Sequence, residues 1–284
     1  MLNETFRLVL SCPDRPGIVA HVSTLLFNHG GNILEARQFE DAETGKFFMR
    51  VVFHCPGEID ALRSDLSKSA SEFDMEIELN NVNDRKRVLF LVSTQDHCLI
   101  DLLYRHRIGE LSMDVEGIIS NHPKSALNLT ETGGIPFHYL PVTKDAKPQQ
   151  EAQIKSIVDS TGADLVVLAR YMQILSSDLC RYLAGRCVNI HHSFLPGFKG
   201  AKPYHQAHTR GVKMIGATAH FVTEDLDEGP IIAQDVEQVS HADSPHDLIR
   251  KGRDIERRVL ARAVTYLLDD RVILNDNKTV VFSV

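Results

Sequence analysis

The sequence predicts a two-domain α/β protein: a ferredoxin-like βαββαβ module followed by a doubly wound, mostly parallel sheet. Three observations predict it. The first 80 residues run strand, helix, strand, strand, helix, strand by apolar period, the split order of ferredoxin-like modules. A short polar stretch follows at 81–87 (Asn-Val-Asn-Asp-Arg-Lys-Arg). Beyond it, apolar strands alternate with helical segments, which implies parallel strands joined by crossovers. The expected domains are residues 1–83 and 88–284, with 84–87 as linker.

In the first domain, residues 5–11 alternate as a strand and Asp14-Arg15-Pro16-Gly17 turns the chain. Ile18, Val22, Leu25, Leu26 and His29 recur at helical spacing, and Gly30-Gly31 ends that helix, since glycine tolerates the left-handed cap. Strands are expected over 32–40 and 46–55 around a turn at 41–45, then a helix over 59–73 and a strand over 75–80. In the second domain, the strand at 88–92 leads through the loop 93–98 into a helix carrying Leu99, Leu102 and Leu103. Strands follow at 113–120, 137–140 and 164–169, with an amphipathic helix over 148–160. The strand at 187–190 runs into three polar residues, His191, His192 and Ser193. Segments 213–222 and 230–239 form a hairpin around an acidic loop, Glu224-Asp225-Leu226-Asp227-Glu228-Gly229-Pro230. Ser244 caps and Pro245 starts the last long helix, whose apolar side is Ile249, Ile255, Val259, Leu260 and Val264. Residues 271–274 and 278–282 close the chain as a second hairpin.

Composition narrows the function. The formal net charge is −7 and there is no Lys/Arg run, which argues against nucleic acid or an anionic membrane as partner. No stretch approaches the ~18 continuous apolar residues of a membrane span, and the first residues lack the charged start and apolar run of a signal peptide. Five cysteines, an odd and scattered number without a Cys-x-x-Cys pair, fit reduced thiols and a cytoplasmic location.

Chemistry concentrates between residues 188 and 235. Polar groups at the C-terminal end of a strand, before a Pro/Gly loop, occupy the place where open α/β sheets bind ligands. Asn189 and His191 are two apart, so an extended backbone aims both to one side. An amide N–H and an imidazole can hold a carbonyl oxygen as it becomes an oxyanion. Asp227 is a carboxylate able to take or relay a proton. Plainer readings exist: an Asn after a strand can satisfy backbone groups, and an Asp before Gly-Pro can be a turn residue. His191, His205, His208 and His220 form a rival zinc set. No His-Glu-x-x-His pattern accompanies them and Asn189 has no part in such a site, so no metal is expected.

Asn189-Ile190-His191-x-Ser193-x-Leu195-Pro196, His220-Phe221-Val222-Thr223 and Leu226-Asp227-x-Gly229-Pro230 together resemble the signature of the folate-dependent formyltransferases, over roughly residues 87–284. The resemblance implies that Asn189, His191 and Asp227 are catalytic. It implies that 169–175 (Ala-Arg-Tyr-Met-Gln-Ile-Leu) holds the pterin of a folate, with Met172, Gln173, Ile174, Leu175 and Val222 as contacts. Asp14-Arg15-Pro16-Gly17-Ile18-Val19 and Gly30-Gly31-Asn32-Ile33 resemble an ACT domain. That implies a homo-oligomer and an amino-acid effector, glycine or methionine, held near Asp14, Gly17, Asn32 and Ile33. The purine-pathway members cradle their nucleotide's phosphate on a glycine-rich loop after the first strand. Here 93–98 has no glycine and carries Asp96, which repels phosphate. The resemblance is therefore to the branch that hydrolyses 10-formyltetrahydrofolate to tetrahydrofolate and formate, with the folate as substrate, no separate cofactor, and formate supplied for purine synthesis. A formyltransferase using another amine acceptor, or an idle folate or amino-acid sensor, remain the alternatives.

Overall fold

The computed structural model describes residues 4–56, 59–128, 132–143, 145–197 and 203–283. They form two compact units. The first comprises the chain up to Arg85 together with Asp269–Asn275 and the residues from Val280 on; the second comprises Lys86–Leu268 and Asp276–Thr279. Among the described residues no helix is long and apolar enough to cross a membrane.

The first unit is an antiparallel sheet of β1 (Glu4–Pro13), β2 (Asn32–Asp41), β3 (Lys46–Cys55) and β4 (Glu76–Asn81) in the order β2-β3-β1-β4. Helices α1 (Ile18–Asn28) and α2 (Ile59–Phe73) cover one face. The period-two pattern of β1 and β3 sends Leu8, Leu10, Met49, Val51 and Phe53 into one buried cluster with Leu26 and Leu62 from the helices. Arg50 alternates to the other face, yet it too is buried. A buried guanidinium must be satisfied, and its Nε and Nη2 donate to the carbonyl of Asp269 at 3.2 and 3.0 Å. Arg7 adds ion pairs to Asp269 and Asp270 at 3.2 and 3.3 Å.

Those bonds correct the expected boundary. Residues 269–275 and those from 280 on pack with the first unit, where Arg50 and Arg7, on the face away from the helices, hold Asp269 and Asp270; the sequence pattern had assigned them to the second domain. The expected linker at 84–87 also shortens. Arg87 lies within β5 (Lys86–Val92), its backbone N and guanidinium held by Asp164 at 2.8 to 3.2 Å.

The second unit is a seven-stranded sheet in the order β11-β10-β9-β8-β5-β6-β7, built from β5, β6 (Met113–Ser120), β7 (Phe137–Tyr139), β8 (Leu165–Leu168), β9 (Cys187–His191), β10 (Met214–Phe221) and β11 (Ile231–Gln238). From β9 to β7 neighbouring strands are parallel; β10 pairs antiparallel with both β9 and β11. The helices are α3 (His97–Arg107), α4 (Lys147–Thr161), α5 (Ser177–Tyr182), α6 (Pro203–Arg210) and α7 (Pro245–Leu268). The α/β, mostly parallel architecture expected from the alternation is present. Helix α5 was not foreseen: six residues are too few to display a period, and a Ser176 N-cap accepting from the Leu179 N–H at 3.2 Å sets it. Helix α7 starts as its sequence dictates, with Ser244 and Asp247 capping each other's backbone N–H groups at 3.3 and 3.0 Å. All five cysteines are buried and unbridged.

Candidate active site

Strand β9 lies centrally, between β8 and β10. Its alternation places Asn189 beside His220 of β10 and brings His191 beyond it. The Asn189 amide donates to Nε2 of His220 at 3.3 Å. Nδ1 of His220 lies 2.8 Å from the Phe221 carbonyl and can only donate to it, so the neutral ring has its proton on Nδ1 and accepts at Nε2. One Asn189 amide hydrogen remains for another acceptor.

The acidic loop between β10 and β11 returns Asp227 to this pair. His191 Nδ1 lies 3.2 Å from Asp227 Oδ2, and His220 Nε2 lies 3.7 Å from Oδ1. Asp227 adopts a left-handed backbone, φ 58°, which Asp tolerates better than most residues. Gly229 is fixed by crowding: a Cβ there would sit 1.8 Å from the Phe221 carbonyl oxygen. Behind the Phe221–Pro230 hydrogen bond of 2.9 Å, this close crossing sets the loop's path. Gly229→Ala is therefore expected to push Asp227 away from His191 and lower kcat by about 100-fold, the cost of a misplacement near 1 Å. Unchanged kcat in that variant would show that the loop's path does not set the geometry.

Burial alone would raise the Asp227 carboxyl. The contact with His191 at 3.2 Å, and to a lesser degree His220, outweighs it and holds the carboxyl well below the usual carboxylate range. Asp227 is thus an anion fastened to Nδ1 of His191. The other ring nitrogen, Nε2, is buried and has no hydrogen-bond partner among the described residues. Orphaned buried polar atoms are uncommon and call for an explanation. A ring gripped at one nitrogen and vacant at the other is arranged to meet a ligand atom or move a proton.

The loop after β9 is pinned from below. The buried Thr218 hydroxyl donates to the Ser193 carbonyl and accepts from the Leu195 N–H, both at 3.0 Å, and the Gln234 amide donates to Thr218 at 2.9 Å. His192 stacks on His191 with centroids 4.9 Å apart. Burial, then the charge of Arg170, push His192 down to about 4, so it is neutral near pH 7.

The segment after β8 carries four of the residues expected to meet the pterin, and Val222 follows β10. Met172 and Ile174 are exposed, while Leu175 and Val222 pack partly buried on the core cluster of this unit. The Met172 N–H donates to the Ser93 hydroxyl at 2.9 Å and the Ile174 carbonyl accepts from Lys147 at 2.6 Å; Gln173 is half-buried. An apolar slot is therefore not closed around this segment. The glycine-free loop at 93–98 is occupied by its own bonds: Ser93 donates to Asn121 at 2.7 Å, and the Asp96 carboxylate accepts from the Asn128 backbone at 2.5 Å.

Sequence reasoning passed over Arg170, Glu256, His97 and Tyr204. Glu256 is buried and meets Arg170 at 3.3 Å, His97 at 2.9 Å and the Tyr204 hydroxyl at 2.6 Å. Its signal was present, an acidic residue beside Ile255 within the apolar stripe of α7. A cavity of about 910 Å³ opens next to this cluster, lined by Gln95, His97, Arg107, Arg253 and Arg257 among others. None of Asn189, His191 and Asp227 lines it.

Of the four histidines in the rival zinc set, His191 and His220 converge on Asp227, whereas His205 and His208 are exposed on α6. Among the described residues the grouping able to offer three metal donors is His97, Cys98 and Glu256. Its carboxylate is already engaged, and burial and Glu256 push the Cys98 thiol up, away from the thiolate a metal requires.

In the first unit, Asp14 and Gly17 precede α1, and Gly17 takes φ 96° as its N-cap. Asn32 opens β2 opposite His54, the residue that also faces Thr5, whereas Pro13 faces Lys46. The two parts of the expected effector site thus lie near opposite ends of β1, on the order of 25 Å apart. One chain does not bring them together. Both lie at the surface, with Ile33.

Residues 86–264 match the family described as formyl transferase, and residues 6–70 match the ACT domain. The formyltetrahydrofolate deformylase of Corynebacterium sp. (strain P-1) is 50% identical over 277 residues, 96% of each chain. That of Bacillus subtilis (strain 168) is 48% identical over 98% of this chain and 93% of its own. The crystal structure of formyltetrahydrofolate deformylase from Burkholderia mallei superposes with a TM-score of 0.95 at 52% identity, covering 99% of this chain and all of that one. With an ACT domain joined to a formyl transferase domain, and such identity along nearly its whole length, the chain belongs to the formyltetrahydrofolate deformylase family.

Proposed function

We propose that this chain hydrolyses 10-formyltetrahydrofolate to tetrahydrofolate and formate. The observation that carries the reading is the vacant, buried Nε2 of His191, gripped from behind by ionised Asp227. Water adds to the formyl carbon, whose oxygen gains charge. That oxygen takes hydrogen bonds from Nε2–H of His191 in its imidazolium form, whose Nδ1–H stays on Asp227, and from the spare amide hydrogen of Asn189. Asp227 orients the water and passes its proton toward the leaving nitrogen; the C–N bond breaks, tetrahydrofolate carries that proton and formate departs. Met172, Gln173, Ile174, Leu175 and Val222 contact the pterin, and the substrate itself closes the slot that the exposed Met172 and Ile174 leave open. No separate cofactor takes part. The reaction takes place in the cytoplasm and supplies formate for purine synthesis.

The acceptor is the point to test. The Asp96 carboxylate sits buried in this loop, held by Asn128, and it repels a nucleotide phosphate where a glycine-rich cradle would receive one. Purified protein is expected to release one formate per folate consumed, unaffected by glycinamide ribonucleotide or other amines. Formyl transfer to an amine outrunning formate release would overturn hydrolysis in favour of a transferase.

The ACT unit binds a small amino acid, glycine or methionine, and the chain works as a homo-oligomer. Since Asp14 and Gly17 lie far from Asn32 and Ile33 in one chain, the effector site forms where two copies meet. Calorimetry is expected to detect one of these amino acids, the hydrolysis rate to respond to it, and Asn32→Ala to weaken that response. Absence of binding by both would leave the unit as an assembly device.

A further inference from the structure

Arg170 is buried against His192, the ring stacked on His191, and nothing in the proposed chemistry uses it. It stands two residues past the end of β8 with a left-handed backbone, φ 65°, unusual for a long side chain. Strain of this kind persists only where surrounding contacts enforce it. Here every arm of the guanidinium is held. Nη1 lies 2.7 Å from Nδ1 of His192. Nη2 and Nε donate to the Gln95 amide oxygen at 2.7 and 3.2 Å. Nε also faces Glu256 at 3.3 Å, and Glu256 is itself clamped by His97 and Tyr204.

An arginine only donates, so Nδ1 of His192 must accept, which fixes that ring as the neutral Nε2–H tautomer. The same bond fixes its plane. His192 is stacked on His191 at 4.9 Å and 26°, so holding one ring restricts the other. His191 is then bounded on one side by this ring and gripped at Nδ1 by Asp227. We propose that Arg170 is a positioning residue, which acts through His192 to keep the His191 imidazole in the plane that presents Nε2 to the formyl group. Glu256 and Gln95 hold Arg170, as partners beyond the reacting groups commonly hold a catalytic imidazole. The inference rests on His191 being catalytic.

The backbone supplies a clean variant. Glycine adopts φ near 65° without strain, so Arg170→Gly removes the guanidinium and leaves the path of residues 171–175 in place. The expected result is a kcat lowered by about 10- to 100-fold, the range for lost outer partners of a catalytic ligand, with KM within about threefold. Gln95 and His97 line the open cavity, so a small cation can reach the vacated space. Millimolar guanidinium is expected to restore much of kcat to Arg170→Gly and to leave the wild type unchanged. His192→Phe keeps a ring against His191 but gives Arg170 nothing to hold. It is expected to lose kcat similarly, to resist rescue, and to add little further loss when combined with Arg170→Gly. Wild-type kcat in either single variant, or losses that multiply in the double, would overturn the relay. So would a lowered kcat in Arg170→Gly that guanidinium does not raise. Loss of activity in His191 variants tests the underlying reading separately: full turnover there would remove the catalytic assignment itself.

Discussion

Asp227→Asn is expected to lower kcat by at least ~100-fold, the range for removal of a general base, with folate binding largely kept. The amide fills the same space in the loop fixed by Gly229, so shape survives and charge does not. Two interactions weaken together. His191 Nδ1 loses its anionic partner at 3.2 Å and His220 loses the carboxylate at 3.7 Å. The attacking water loses its acceptor. The direction of the Asp227 shift makes a further statement. Its carboxyl is depressed below the ordinary value, so ionisation favours the folded state. That contribution is complete above the unfolded pKa of about 4 and is lost as pH falls through the lower folded value. An acid limb in the rate above about pH 5 therefore belongs to a group other than Asp227. Steady-state kinetics beside equilibrium folate binding checks the first claim; near-normal turnover in Asp227→Asn would remove the carboxylate from the mechanism.

Truncating His191 or Asn189 is expected to cost about 10²–10³-fold each in kcat, the loss of one preorganised oxyanion donor, with KM less affected. The variants differ in their side effects. His191→Ala removes the strongest partner holding Asp227 ionised, so the Asp227 carboxyl should rise toward its ordinary value. Asn189→Ala leaves His220 Nε2 without its donor at 3.3 Å, and Asp227 keeps both histidines. A variant with wild-type kcat and only weakened binding would show that its residue anchors the folate.

That Asn189, His191 and Asp227 come together could be read from the chain because a strand's alternation and a hairpin are local. Two residues of β9 two apart must share a side, and the segments flanking 224–230 must bring Asp227 back. The formyl transferase and ACT signatures rested on the same short-range spacings. What stayed hidden depends on partners far apart in sequence. Arg170 and Glu256 are separated by 86 positions, and only the fold reveals that each neutralises the other. The C-terminal residues look like a continuation of the second domain in sequence, whereas in the fold the buried Arg50 and the half-buried Arg7 of the first unit hold Asp269 and Asp270. The ACT motif named the expected effector residues without their separation, because the register of β1, β2 and β3 sets that distance.

Hydrolysis at the Asn189, His191 and Asp227 site is tested most directly by single turnover of 10-formyltetrahydrofolate in 18O-labelled water, wild type against Asp227→Asn at matched folate occupancy. Wild-type protein should yield formate carrying one solvent oxygen, in step with tetrahydrofolate, while Asp227→Asn forms labelled formate at least ~100-fold more slowly. Labelled formate appearing at the same rate in both, or a formyl group leaving without solvent oxygen, would contradict the account.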